Sequence, residues 1–144
     1  MKSVKNYLIS IFTGISTGLL TLFIVPIEYE ILVWLLLIIA LGGVYSEMDQ
    51  RKPFWNAFLC SLLVGCTITA THIMFLDTYI ATHPSEIAML KSYRLSYKLM
   101  ITLLVIAPIY WLILGVLSGS VCLLFKGVKK IKKQCISLYT VLIG

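Results

Sequence analysis

The chain has 144 residues, of which 60% are hydrophobic and 12% charged, with a formal charge of +6 and a mean hydropathy of +0.98. Soluble domains carry about 25% charged residues, and half that share cannot cover a water-facing surface, so an ordinary soluble domain is excluded. The lysines and arginines crowd against the ends of apolar runs instead of forming a separate basic region, which argues against a nucleic-acid partner.

Four runs are long and nearly free of ionisable side chains: residues 6–27, 31–46, 54–76 (where His72 is the one exception) and 99–125. A helix needs about 20 apolar residues, roughly 17–25, to cross the hydrocarbon. Three runs meet that length and the second, at 16 residues, falls slightly short. Backbone amides must be satisfied internally in lipid, and these runs are too long and too uniform for alternating barrel strands. The expectation is an all-α integral membrane protein: one transmembrane domain over 1–144, with four transmembrane helices arranged as two antiparallel hairpins. The opening segment counts as the first span, since its apolar run exceeds a signal-peptide core and "VPIEYE" offers no cleavage site.

In chain order, Lys2 and Lys5 precede a first span that carries a small-residue ridge, Ser10, Gly14 and Gly18, with Thr13, Thr17 and Thr21 beside it. Pro26 stops that helix, and Glu28 and Glu30 are expected in the headgroup region. After the second span comes a mixed-charge turn with Arg51 and Lys52, then Pro53 at a helix start, where its missing N–H costs nothing. Tyr7, Tyr29, Tyr45 and Trp55 stand at span ends as interfacial anchors, while Trp34 and Trp111 lie deeper, packed on other helices or facing acyl chains. In the third span Ser61, Gly65, Thr69 and His72 follow at steps of four, four and three, within one quarter of the helix circumference.

The connection 77–98 is the largest piece outside the spans. His83, Pro84 and Glu86 read as a helix start. Lys91, Arg94 and Lys98 then share one face, so an interfacial helical segment leads into the fourth span with its cations at the headgroups. That span carries Gly115 and Gly119. The basic tail 126–144 follows, with Lys129, Lys130, Lys132 and Lys133 placed to contact anionic lipid at the cytoplasmic face. Nine of the twelve Lys and Arg fall on the side of both termini, so the positive-inside rule puts both ends in the cytoplasm, with the bacterial plasma (inner) membrane as the expected location. Cys60, Cys66, Cys122 and Cys135 form no C-x-x-C and read as small buried hydrophobes.

Small residues four apart let helix backbones approach closely in lipid, so the ridges on spans one, three and four point to a compact bundle. His72 lies about 27 Å along its helix from Phe54, near the outer boundary. Its expected role is an interfacial histidine bonded to water or to Asp77, in preference to a proton, ligand or metal site. No nucleophile–base pair, metal set or cofactor motif is present in the sequence. The preferred reading is a small non-enzymatic multi-pass membrane protein acting by helix packing with itself, as a homo-oligomer, or with a larger membrane partner. Two alternatives stand beside it. One is a small transporter or channel for a neutral or weakly charged solute, with a Thr/His-lined path along Ser61, Gly65, Thr69 and His72. The other is a membrane enzyme with an outer-face site of His72, Asp77, His83 and Glu86.

Overall fold

The computed structural model describes residues 2–47, 52–85, 87–88 and 99–143, with side chains described at all of these except 2, 3, 99, 100, 102, 103 and 137–143. The described residues form helices and short turns, with no strand among them. Helix α1 (Lys2–Phe23) leads through a 3-10 turn (Ile27–Tyr29) into α2 (Glu30–Glu47). Helix α3 (Pro53–Met74) is followed by the short α4 (Leu76–Thr82), and α5 runs from Leu99 to Ile143. Four of these are long and apolar enough to cross a membrane: Val4–Phe23, Ile27–Glu47, Pro53–Met74 and Leu104–Ile136.

Local chemistry accounts for the ends. Pro26 sits in extended backbone before the 3-10 turn (φ −61°, ψ 146°), and Pro53 opens α3. The second span reaches 21 residues because the 3-10 turn joins α2, which takes in Glu28 and Glu30. Carboxylates at a helix N-terminus oppose the positive end of its dipole, so the two glutamates extend that helix instead of stopping it.

At the other end α5 does not stop at its lysines. Its 45 residues span about 67 Å, more than twice a hydrocarbon core. The basic tail is therefore a continuation of the last helix. Lysine is a good helix former, so the run ends the apolar stretch without ending the helix. Lys129 ion-pairs with Glu47 and donates to Ser46 Oγ at 3.2 Å, tying the extension to the end of α2. One of the four lysines assigned to lipid headgroups thus has a protein partner. Lys130, Lys132 and Lys133 are exposed.

The helices interleave. Gly14 lies against Thr67 and Gly18 against Thr71, so α1 and α3 run parallel. Gly65 lies under Trp111, Gly115 against Phe58 and Gly119 against Phe54, so α3 and α5 run antiparallel. Gly42 meets Val121 and Cys122, which sets α2 beside α5. The most extensive interface is α3 with α5, then α1 with α3, then α2 with α5. Although α1 and α2 are consecutive, each packs mainly on another helix, so the expected hairpin of spans one and two is not a packing unit. Small residues decide this, because α1 presents glycines to α3 while α2 presents its own glycine to α5.

The central core holds Leu37, Leu41 and Tyr45 of α2, Ala57, Cys60, Val64 and Ile68 of α3, and Leu114 and Cys122 of α5. Trp34 packs on it, and Trp111 covers Gly65, as expected for the deeper tryptophans. Tyr45 departs from expectation. Instead of anchoring at an interface it is completely buried and bonded to Ser10 at 2.6 Å. Tyr7, Tyr29 and Trp55 are exposed. All four cysteines are free; Cys60 and Cys122 are buried, whereas Cys66 and Cys135 are exposed, against the expectation of burial for all four.

Candidate functional site

The polar line on α3 divides between two neighbours. Ser61, Thr69 and His72 are all buried, as is Gly65. Gly65 faces α5, where a Cβ would stand 2.5 Å from the Trp111 ring. The face turned to α1 belongs instead to Thr67 and Thr71, one step round the helix. A Cβ on Gly14 would overlap Thr67 Oγ1 and come within 2.7 Å of the Val64 carbonyl oxygen, and one on Gly18 would stand 2.9 Å from Thr71 Cβ. The threonine hydroxyls turn back on their own helix. Thr67 donates to Leu63 O and Val64 O, and Thr71 to Thr67 O. These hydroxyls are satisfied within α3, and at Gly14 and Gly18 the α1–α3 seam is closed by van der Waals contact. Ser61 Oγ and Ser118 Oγ are buried without a hydrogen-bond partner.

His72 leaves the expected pattern. Its side-chain partner is Thr21 on α1, with Nε2 3.0 Å from Thr21 Oγ1, and not Asp77, which is exposed. The Thr21 hydroxyl also lies 3.2 Å from Thr17 O and 3.1 Å from Gly18 O, so with its hydrogen on the backbone it accepts from His72 Nε2–H, and in the other tautomer it donates to that nitrogen.

Sequence reasoning did not bring His72 and His83 together; the structure does. Phe75 breaks the chain between α3 and α4 (φ −112°, ψ 42°), and α4 contacts the ends of α1 and α3. Tyr79 is buried with Leu22 and Ile87. The Tyr79 ring stacks on His83 at 4.3 Å and lies 5.1 Å from His72, with the two imidazoles 6.4 Å apart. His83, 2% exposed, turns its Nε2 towards Glu30 Oε2 on α2, at 3.6 Å. Its Nδ1 faces Thr82 Oγ1 at 2.8 Å and Tyr79 O at 3.2 Å.

Side chains from α1, α2, α3 and the α4 segment therefore meet at the end of the bundle remote from Lys129. The signal that could have found this is the spacing of His72, Tyr79 and His83, seven and then four apart, which keeps one helix face across the Phe75 break. No sequence rule connects Glu30 to that face.

The remaining site expectations fall as follows. Of the four outer-face enzyme residues, His72 and His83 come together and Asp77 is exposed, while Glu86 lies outside the described residues. Lys91, Arg94 and Lys98 also lie outside them. No three His, Cys, Asp or Glu side chains among the described residues converge as metal ligands.

Set against protein-family models, curated proteins and solved structures, the chain finds no match. The functional reading therefore rests on its own geometry.

Proposed function

We propose that the chain crosses a lipid bilayer four times with both ends at the lysine-rich cytoplasmic face, and acts without catalysis, by packing with copies of itself or with a larger membrane partner. The closed α1–α3 seam carries this reading. A solute path along the α3 polar line would need an open, hydroxyl-lined channel. Instead the backbones approach until glycine alone fits, and the nearby hydroxyls are spent on their own helix. Small residues at helix interfaces take over the role that hydrophobic drive has in water.

The outer faces are apolar: Phe12, Ile24, Leu36, Tyr110 and Leu124 are each more than 60% exposed. Apolar surface on this scale is stable against lipid or another apolar protein, not against water. The nine cations on the side of both termini support the orientation, and Lys130, Lys132 and Lys133 are free to meet anionic headgroups.

Thr69, 7% exposed, is the test position. In a chain whose own cysteines are replaced, a Thr69→Cys thiol should resist membrane-impermeant maleimide added from either side until detergent unfolds the bundle. Rapid labelling in intact membranes would establish an aqueous path and replace the packing reading with transport. Crosslinking in native membranes should yield a homo-oligomer or a heteromeric product; monomer alone would count against action by association.

A further inference from the structure

We propose that the part of α5 beyond the bilayer pairs with the same helix of a second copy, along one apolar stripe that begins within the span. The proposal rests on the reading of the chain as a bilayer-spanning protein that packs with itself, and it names the surface. Residues 104–125 alone make a helix of about 33 Å, which fills a hydrocarbon core of about 30 Å. The helix nevertheless runs on to Ile143, so residues 126–143 add about 27 Å outside it.

At about 100° per residue, Tyr110, Ile113, Leu117 and Leu124 fall within about 60° of the helix circumference, and all four are exposed. Val128, Ile131 and Cys135 return to the same arc about five turns after the first three of these. Val128 and Ile131 are 63% and 62% exposed, and the Cys135 thiol is exposed too. In the sequence the spacing continues at Leu138 and Leu142, so positions 128, 131, 135, 138 and 142 follow at steps of three, four, three and four. That is the heptad pattern by which two helices interlock. Lipid can cover the stripe within the span. Beyond the hydrocarbon the same face would meet water, which an apolar face of this length does not tolerate without a partner.

Charge decides the occupant. Lys126, Lys129, Lys130, Lys132 and Lys133 lie on the other side of the helix, in an arc of about 160°. It is the side on which Gly115 and Gly119 meet α3 and Cys122 meets α2, and Lys129 pairs there with Glu47. An acidic groove could not hold the lysines and the stripe at once, since they face opposite ways. A second copy meets the stripe with its own and opposes no like charges. Of the lysines only Lys132 flanks the stripe, and the opposite flank carries Gly127 and Gln134. In a parallel pair Lys132 of one copy stands beside Gly127 of the other. The bilayer imposes that parallel register, because copies inserted the same way emerge from one face at one height. The span also supplies the nucleus that a short helix in water lacks.

Disulfide trapping in isolated native membranes tests this, using the full chain with Cys66→Ser, which leaves Cys135 as the exposed thiol. Mild copper-catalysed oxidation should convert monomer to a disulfide-linked dimer. With Cys135→Ser added, Val128→Cys or Ile131→Cys should crosslink as well. Lys126→Cys or Lys133→Cys should do so at least about tenfold more slowly, since a disulfide needs Cα atoms within about 7 Å. Ile131→Lys, with Cys135 kept, should lower trapping about tenfold by removing a buried side chain from each copy. Equal trapping on both sides of the helix, or none at Cys135, Val128→Cys and Ile131→Cys, would overturn the pairing. Counting of fluorescently labelled copies in the same membranes separates the two readings. Dimers without disulfides along the stripe would overturn the stripe and leave self-association through another face, whereas monomers alone would remove both.

Discussion

Replacing Gly14 with alanine should destabilise the bundle by about 2–3 kcal/mol, the cost of forcing an extra methyl into a filled helix contact. The added Cβ meets Thr67 Oγ1 and the Val64 carbonyl oxygen, and neither can retreat. Thr67 is β-branched and its hydroxyl is tied to Leu63 O and Val64 O, so rotating it forfeits those bonds. The carbonyl belongs to the α3 backbone. Relief can come only from moving α1 off α3, which opens the seam over its length.

Three further glycines grade the test. Gly18→Ala meets the Thr71 side chain at 2.9 Å and should cost less, since no backbone atom blocks it. Gly43→Ala finds only Phe125 Cε2 at 3.9 Å, and Gly127→Ala finds nothing within 4 Å. Those two should be neutral or stabilising by up to about 1 kcal/mol, because alanine is the better helix former. Reversible unfolding in mixed micelles, titrated with SDS and followed by helical circular dichroism, ranks all four. Equal stability of Gly14→Ala and Gly127→Ala would mean that α1 does not lie on α3 in this register.

That series also separates what a sequence conveys about helix packing from what it leaves out. The ridge of Ser10, Gly14 and Gly18 announces a close approach, and Gly14 and Gly18 do face a neighbouring helix. The partner is invisible, because a glycine complements any surface that fits its groove. Gly65 illustrates this: on α3 it aligns with His72, yet it lies under Trp111 of α5, while His72 reaches Thr21 of α1. One quarter of a helix circumference is wide enough to serve two neighbours.

Charge carries similar ambiguity. The lysines after residue 125 end the apolar run of the sequence, but nothing in residues 126–143 breaks a helix, so α5 continues. The histidine end was hidden for another reason. Its parts come from α2 and from the segment after α3, with 52 residues between Glu30 and His83. Only the fold, by laying α4 across the bundle end, makes them neighbours.

Tyr45 is the position where sequence position misleads most, and its substitutions should show the other large effect. Truncation to alanine removes a completely buried ring from the core shared with Leu41, Cys60 and Val64, and should cost about 3–5 kcal/mol. The hydroxyl can be dissected separately. Ser10 Oγ lies 2.9 Å from Asn6 O, and with its hydrogen given to that carbonyl it accepts from the Tyr45 hydroxyl.

Tyr45→Phe deletes the donor and leaves Ser10 still bonded to Asn6 O, so no buried donor is orphaned, and the loss should be about 1 kcal/mol or less, the usual worth of such a bond in lipid. Ser10→Ala removes one oxygen atom, yet strands the phenol in the core with only the weakly accepting Cys60 sulfur beside it. An unpaired buried hydroxyl costs about 1–3 kcal/mol, so the smaller deletion should do more harm. The double variant Ser10→Ala/Tyr45→Phe should then be more stable than Ser10→Ala alone, because removing the phenol oxygen removes the stranded group. The same SDS titration measures all four variants. Additive losses would mean that the two hydroxyls do not meet, and that α1 and α2 are joined at that level by apolar contact alone.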